Sequence, residues 1–322
     1  MLSSICRSSD LASARLFFDG IPEKDVVSWS TMLAYYINHG RLADGLALFR
    51  AMTFTTELAA DSVMLVTVLT GCASAGLLPP FCRSIHGYVL RRRIPDGRYL
   101  RTSLIDSYAK ANRLDYASRV FARAPSGNVW HWTAMICGMA MHLHDHEAIR
   151  LFEEMCRRGV RPNEITFTAV LSACGHAGLV EQGREFFKLM VEKYDIEPNI
   201  KHYGCMVDIF GKAGQLKGAY DVIKTMRVEP NVIIWSSLLA ACKRFKNFDM
   251  AEEGIEKVLA MEISDESFGV YMLMSDLYAM GERWDGVLKV RRLMEEHNAR
   301  KNRGSGSIKA GEPQSLTVPA VS

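Results

Sequence analysis

Residues 168–183 read TAVLSACGHAGLVEQG, and residues 67–78 read TVLTGCASAGLL, which is nearly the same phrase. Aligning residues 67–77 with residues 169–179 gives an offset of 102 positions. Two other pairs of stretches agree with this offset to within one position: 26–36 with 129–139, and 102–117 with 204–219. A phrase that recurs at a fixed distance indicates a repeated structural unit.

The repeat is a triplet of units that are about 36, 36 and 31 residues long. Each unit holds an apolar stretch, a short turn such as NHGR (38–41), and a second stretch of the form L-x-x-A-x-x-x-F. Apolar residues at i, i+3, i+4 and i+7 predict amphipathic helices, and no segment alternates with the period of a strand. The sequence therefore predicts an all-α, right-handed superhelical α-solenoid of helix–turn–helix repeats.

Composition narrows the class of protein. The chain has 322 residues, of which 48% are hydrophobic and 23% are charged, which is typical of a folded protein. No apolar run reaches about 18 residues, so a membrane span is not expected. The net charge of +3 permits an anionic partner without requiring one.

The sequence offers little basis for catalysis. It shows no nucleophile–base pair, Gly-rich phosphate loop or carboxylate dyad. None of the eight cysteines stand in C-x-x-C spacing, which argues against a zinc ribbon and favours small buried hydrophobes in a reducing compartment. We therefore expect no enzyme activity, no cofactor and no metal.

The lengths, the order and the residue patterns of the units resemble those of plant pentatricopeptide repeat proteins of the P-L-S class, E subgroup. The P-type units are 26–61 and 129–163, the L-type units are 62–97 and 164–199, and the S-type units are 98–128 and 200–231. Residues 1–25 resemble a partial S-type unit, and residues 232–303 resemble the two degenerate repeats of the family's E extension. Residues 304–322 (GSGS, two prolines) are expected to form a flexible tail.

The chain departs from the family pattern at both ends. It starts inside an S-type unit, so we expect a truncation at the N-terminus, with a transit peptide and upstream repeats missing. After residue 303 no H-x-E or C-x-x-C follows, so the DYW deaminase domain of some members is not expected.

The resemblance implies that each unit reads one RNA base with its fifth and last residues. The paired residues are Ser30 with Asp61, implying guanine, and Thr102 with Asn128, Thr133 with Asn163 and nominally Thr168 with Asn199, each implying adenine. The second residue of each unit is expected to wedge between bases: Val27, Val63, Tyr99, Trp130 and Ile165. An alternative stays open, since Ser, Thr and Asn near helix starts are also ordinary caps.

Two short runs invite other interpretations. In HLHDHE (142–147), His142 and His146 have the i, i+4 spacing of two metal ligands, but the repeat places the run on the turn between two helices. The run RRR (91–93), with Arg98 and Arg101, either contacts phosphate or forms a solvated helix end.

The resemblance implies a sequence-specific binder of single-stranded RNA in mitochondria or chloroplasts. It would select a site for C-to-U editing, and residues 232–303 would recruit a separate DYW-type deaminase and editing cofactors. The chain is expected to be a monomer and to have no membrane partner. Two alternatives stay open: a protein-binding scaffold of the tetratricopeptide kind, whose units are uniformly 34 residues long, and a truncated product without function.

Overall fold

The structure is a computed structural model that describes residues 10–74, 78–95, 97–123, 128–261 and 268–296. These residues form 17 α-helices and no strand. The prediction of an all-α fold is confirmed over this part of the chain. The predicted tail 304–322 and residues 1–9 of the partial S-type unit lie outside the described residues.

The helices fall into pairs that follow a single first helix, α1 (Leu11–Asp19). The first members of the pairs are α2 (Val26–Asn38), α4 (Ser62–Ser74), α6 (Arg98–Lys110), α8 (Val129–Met141), α10 (Glu164–Ala177), α12 (Ile200–Lys212), α14 (Val232–Phe245) and α16 (Phe268–Met280). The second members are α3 (Leu42–Thr55), α5 (Leu78–Arg92), α7 (Leu114–Ala122), α9 (Asp145–Arg157), α11 (Val180–Glu192), α13 (Leu216–Thr225), α15 (Phe248–Leu259) and α17 (Trp284–Glu296).

The chain forms two compact parts, one ending at Ile209 and the other beginning at Phe210. In the N-terminal part, the first members of successive pairs contact one another in the order α2, α4, α6, α8, α10. The second members α3, α5, α7 and α9 each contact the first member of their own pair and that of the next pair, and α11 contacts α10. The N-terminal part is therefore a stack of helix hairpins in two layers, as the repeat predicts.

Tight turns join the two helices of the pairs whose connection lies within the described residues. Several of these turns contain one residue in the left-handed region, such as Gly40 (φ 71°), Asn112 (φ 54°) and Leu143 (φ 60°). Gly and Asn adopt this region at low cost, whereas Leu does so only when the surrounding structure holds it there. The turns therefore recur by position, even where the residue type varies.

The second helices meet their neighbours through small residues. Ala14, Ala117 and Ala148 occupy the alanine position of the L-x-x-A pattern and are completely buried. Gly183 takes this place in α11, where a Cβ atom would lie 2.8 Å from Cδ1 of Ile209. Close helix packing therefore explains why the repeated pattern keeps a small residue here.

The C-terminal part also consists of packed hairpins. Helix α14 contacts α13, α15 and α16, and α16 contacts α17. Tyr220 packs its ring against Trp235 with centroids 6.3 Å apart, and Lys243 Nζ lies 2.6 Å from Asp276 Oδ2. Residues 210–261 and 268–296 thus show the same helix–turn–helix pattern within their own core.

The cysteines behave as buried apolar residues. Every cysteine in the described residues is a free thiol, and Cys72, Cys82, Cys174 and Cys242 are completely buried. Burial raises the pKa of Cys72 to about 11 and that of Cys174 to about 12. These thiols are therefore protonated and unreactive at neutral pH, as expected for core residues.

Across the described residues, every helix is too short or too polar to cross a lipid bilayer.

Candidate nucleic-acid interface

Except for Gly97, which has no side chain, the last residue of each predicted unit caps the first helix of the next unit. Its side-chain oxygen accepts a hydrogen bond from a backbone N–H in the first turn, at distances of 2.8 Å for Asp61 and 3.1 Å for Asn128 and Asn231. Asn163 and Asn199 do the same. The capping role is therefore present, and it uses only one end of each side chain.

The cap at Asn163 fixes the orientation of its amide. Asn163 Oδ1 accepts from both the backbone N–H and the hydroxyl of Thr166, each at 2.9 Å. In return, the Asn163 backbone N–H donates to Thr166 Oγ1 at 3.2 Å, which completes a capping box. Because Oδ1 is held inside this box, the Nδ2 amide group is the end left for other contacts.

The fifth residue of the same unit is connected to this cap. Thr133 is buried, and its Oγ1 lies 2.7 Å from Oγ1 of the fully buried Thr166. Since the Thr166 hydroxyl donates to Asn163, the Thr133 hydroxyl must donate to Thr166. The structure therefore links the predicted reading pair Thr133 and Asn163 through one intervening side chain.

The other fifth residues have different surroundings. The Ser30 hydroxyl oxygen is covered by protein and has no hydrogen-bond partner among the described residues. Thr102 and Thr168 donate to backbone carbonyls of their own helices, Arg98 O at 2.8 Å and Glu164 O at 3.0 Å. The fifth residues are thus close to the units' helix starts, but only some of them are accessible.

The predicted wedge residues form a series of exposed apolar side chains. Each occupies the second position of a first helix, and the exposed fraction ranges from 46% for Trp130 to 70% for Tyr99. Val27, Val63 and Ile165 lie between these values. The guanidinium of Arg98 lies over the Tyr99 ring at 4.9 Å, which places a positive charge beside one of them. Apolar side chains that are exposed at the same position of successive repeats are typical of a surface that binds a partner.

A cavity of about 650 Å³ gathers the site residues of the unit 164–199. Its lining includes the predicted wedge Ile165, the fifth residue Thr168 and the last residue Asn199. The remaining lining comes from α8, α10 and the start of α12: Cys137, Ala140, Met141, Glu164, Ala169, Ser172, His176, Ile200 and Lys201. The structure therefore brings one complete set of predicted site residues to the same concave surface.

Within this cavity, Asn199 is hydrogen-bonded at both ends of its amide. Oδ1 accepts from the backbone N–H groups of Lys201 and His202, at 3.0 and 3.3 Å. Nδ2 donates to Glu164 Oε2 at 3.2 Å. Asn199 therefore differs from Asn163, because its Nδ2 group is already engaged by a carboxylate.

His202 supports this arrangement through two hydrogen bonds. It is completely buried; the Asn199 backbone N–H donates to its Nδ1 at 3.1 Å, and its Nε2 lies 2.8 Å from Glu164 O. Because a carbonyl oxygen only accepts, Nε2 carries the proton. Burial lowers the pKa of His202, and the bond to Glu164 O opposes this effect less strongly. A neutral His202 thus ties the last residue of the unit 164–199 to its first.

The histidine run lies only partly on the turn between α8 and α9: His142–His144 form the turn, whereas Asp145, His146 and Glu147 are the first residues of α9. His142 Nε2 is 2.6 Å from Ala109 O, and Asp145 Oδ1 is 3.2 Å from His176 Nδ1. His144 precedes α9 without a capping hydrogen bond from its side chain. Within the described ranges, no three His, Cys, Asp or Glu side chains are grouped so as to hold a metal ion. Arg91 and Arg92 end α5, and with Arg93 they are exposed, as expected for a solvated helix end.

Sequence reasoning missed three residues at or next to the starts of first helices. Asp25, the last residue of the partial unit, caps α2; bonds from the Ser28 hydroxyl and backbone N–H lower the pKa of Asp25. Ile233 is 72% exposed at the wedge position of α14. Glu164 is the only acidic first residue among the units, and this sequence signal could have identified it.

Profiles of known protein families match most of the chain after residue 100. The profile described as PPR repeat matches residues 27–53, 100–127 and 165–194, and the PPR repeat family profile matches 127–176. The pentatricopeptide repeat domain profile matches 186–244, and the E motif profile matches 245–309.

Relatives from Arabidopsis thaliana match almost the whole chain. A mitochondrial pentatricopeptide repeat-containing protein is 41% identical over 91% of this chain and 43% of its own length. The chloroplastic pentatricopeptide repeat-containing protein CRR2 is 37% identical over 89% of this chain and 44% of its own length. The chain thus spans less than half the length of these relatives.

Solved structures show the same fold. The maize pentatricopeptide repeat protein PPR10, in complex with an 18-nucleotide psaJ RNA element, superposes with a TM-score of 0.57 at 14% identity, covering 92% of this chain and 50% of that one. The repeat profiles, the relatives and the shared fold all agree with the recurring helix hairpins described above. The chain therefore belongs to the pentatricopeptide repeat family and carries an E motif.

Proposed function

We propose that the chain binds single-stranded RNA along the ends of its first helices, with about one nucleotide for each of the units 26–61 to 200–231. The observation that carries this proposal is a geometry repeated in the units 26–61, 62–97, 129–163 and 164–199. Each has an exposed apolar side chain at its second position and a capping Asp or Asn two residues before it. Apolar and aromatic side chains stack on or wedge between bases, while amides and carboxylates discriminate base edges.

The family relationship supports the same partner. PPR10, which shares the fold, was solved with a bound RNA element, and several relatives are named as mitochondrial or chloroplastic proteins. We therefore propose that this chain acts on organellar RNA. The reading pairs imply guanine for unit 26–61 and adenine for units 98–128 and 129–163.

We further propose that the chain is a site-recognition factor for C-to-U editing rather than an enzyme. The E motif, matched at residues 245–309, supports this role. The chemistry needs a metal-bound water and a carboxylate that transfers protons, which a separate DYW-type deaminase would supply. Residues 232–303 would recruit that deaminase.

A salt-titrated filter-binding assay tests the RNA partner. The chain should bind single-stranded RNAs that carry G, any base, A and A in the order of the units, tested in both polarities. Affinity should fall steeply between about 50 and 200 mM salt, because phosphate contacts release counterions. A duplex of the same sequence should bind more weakly, since its base edges are paired. Absent or salt-independent binding would favour the protein-binding scaffold.

The editing role has its own test. A purified DYW-type deaminase should convert a cytidine beside the bound site only when the chain is present. RNA binding without any gain in conversion would limit the function to binding.

A further inference from the structure

The acidic residue at the start of α10 gives one unit a different reading chemistry. Glu164 lines the cavity of about 650 Å³ together with Ile165, Thr168, Asn199 and Lys201. The first residues of the neighbouring units are Val129 and Ile200, so only this unit places a carboxylate there. A carboxylate carries acceptors and no donor.

The amide that would read adenine is occupied in this unit. Asn199 Oδ1 accepts from two backbone N–H groups of α12, and Asn199 Nδ2 donates to Glu164 Oε2 at 3.2 Å. Oδ1 of Asn163 is engaged by two hydrogen bonds as well, but at Asn199 one of the two Nδ2 hydrogens is also used, which leaves Asn199 less donor capacity for adenine than Asn163 has. The polar group with acceptor capacity toward the cavity is then the Glu164 carboxylate, which has several lone-pair sites and uses one for Asn199.

The cavity also offers complementary groups around this carboxylate. Lys201, exposed at the start of α12, supplies a cationic donor, and Ile165 supplies an apolar surface for a base ring. Guanine is the base whose Watson–Crick edge places two donors, N1–H and N2–H, beside an acceptor, O6. Two parallel hydrogen bonds to one carboxylate plus one from an ammonium group match that edge.

We propose that Glu164 is the specificity-determining residue of the unit 164–199 and selects guanine there, in place of the adenine that Thr168 and Asn199 imply. This proposal rests on the proposed binding of single-stranded RNA and names the base that this one cavity takes. Asn199 acts as a positioning residue, because its Nδ2 group holds the carboxylate in the cavity.

The test is a guanosine scan. Short oligoadenosine RNAs, each with one guanosine at a successive position, are titrated with the full chain and with Glu164→Gln. Gln keeps the size and the contact to Asn199 but replaces one acceptor with a donor. Guanosine should be favoured about tenfold at the position that this unit reads, and Glu164→Gln should reverse that preference toward adenosine at that position alone. Glu185→Gln, an exposed change on α11, removes the same charge and should leave the scan unchanged.

The outcomes separate this proposal from the proposed function. Identical scans for the full chain and Glu164→Gln, with RNA bound by both, would overturn the role of Glu164 and leave RNA binding intact. A uniform gain in affinity at all positions would mean that Glu164 acts only through its charge, which also overturns the selection of guanine. Binding of none of the RNAs at any salt concentration would overturn both proposals.

Discussion

The hydroxyl oxygens of Thr133 and Thr166 lie 2.7 Å apart and bridge two successive units. Thr133 is on α8, whereas Thr166 is in the first turn of α10 and completes the capping box with Asn163. Both threonines are buried, so their hydroxyls depend on each other and on Asn163 for hydrogen bonds. These three hydrogen-bonded side chains thus cap a helix, connect two units and orient a predicted reading residue.

Replacement of Thr166 by Val should remove the hydrogen bonds between Thr133, Thr166 and Asn163 with little change in side-chain volume. The substitution removes one half of the capping box and leaves the buried Thr133 hydroxyl without a partner. We expect the free energy of unfolding to fall by about 1–3 kcal/mol. Urea denaturation measures this loss. Thr225→Val is the matched control, because Thr225 is exposed and bonds only to carbonyls of its own helix; a loss as large there would contradict the account.

Asn163→Asp should change the base preference of unit 129–163 and keep its fold. Asp caps helices as well as Asn does, so Thr166 retains its acceptor. The second oxygen replaces the Nδ2 donor, which favours guanine over adenine by about 1–3 kcal/mol at one nucleotide. Affinities for two RNAs that differ only at that nucleotide measure the shift. Equal loss of binding to both RNAs would mean that Asn163 is only a cap.

The matched control for this change is Asn247→Asp. Asn247 caps α15 in the C-terminal part and has no predicted reading partner. Its substitution should leave the ratio of the two affinities unchanged.

Trp130→Ala should weaken RNA binding without changing base preference. The Trp130 side chain is 46% exposed at the start of α8, so its loss costs little core packing. Stacking or wedging on bases contributes about 1–3 kcal/mol per base and tolerates any sequence. Titration of fluorescent RNAs of two sequences should show the same loss for both. Trp284→Ala, at an exposed tryptophan of α17, is the control and should keep wild-type affinity; equal losses for both variants would argue against a site at Trp130.

Much of the fold follows from repetition. Because each hairpin packs on its neighbours, the repeat length and the small residues of the second helices determine where helices begin, end and touch. The same register placed HLHDHE on a turn; this is correct for His142–His144, whereas His146 lies in the first turn of α9. The exposure of the predicted wedge residues follows from the same repetition, because each of them is the second residue of a first helix.

The hydrogen bonds of the predicted reading residues could not be predicted to the same degree. The contact from Thr133 to Thr166 spans 33 positions, and that from Glu164 to Asn199 spans 35. Repeat register brings such residues near each other, but the direction of an amide or hydroxyl depends on which neighbour offers a donor or an acceptor. Two units with the same Thr–Asn pair therefore differ, because Asn163 is followed by Thr166 at the third helical position and Asn199 by His202.

Gly138→Ala should destabilise the first-helix layer. A Cβ atom at Gly138 on α8 would lie 2.5 Å from Cβ of Ala109 on α6, and both are parts of rigid helices. We expect a net loss of about 1–3 kcal/mol in the free energy of unfolding, despite the better helix propensity of Ala. Thermal unfolding is the readout. Gly269→Ala, where nothing lies within 4 Å, should instead stabilise slightly; a similar gain at Gly138 would show that α6 and α8 can separate at no cost.

The buried His202 should make the unit boundary at Asn199 sensitive to mild acid. Burial lowers the pKa of His202 below its ordinary value of 6.5, so the folded chain binds this proton less readily than the unfolded chain. Stability from this group is therefore complete above about pH 6.5 and falls as the pH drops toward the folded pKa. Protonation would also turn Nδ1 from an acceptor into a donor facing the Asn199 N–H. His202→Gln keeps an acceptor at the third helical position and removes the titration, so it should abolish this part of the pH dependence. Hydrogen exchange of the Asn199 amide between about pH 7.5 and 5.5, corrected for the intrinsic rate, measures the effect. His146→Gln, at an exposed histidine of α9, should retain the wild-type dependence, and an unchanged dependence in His202→Gln would assign it to other groups.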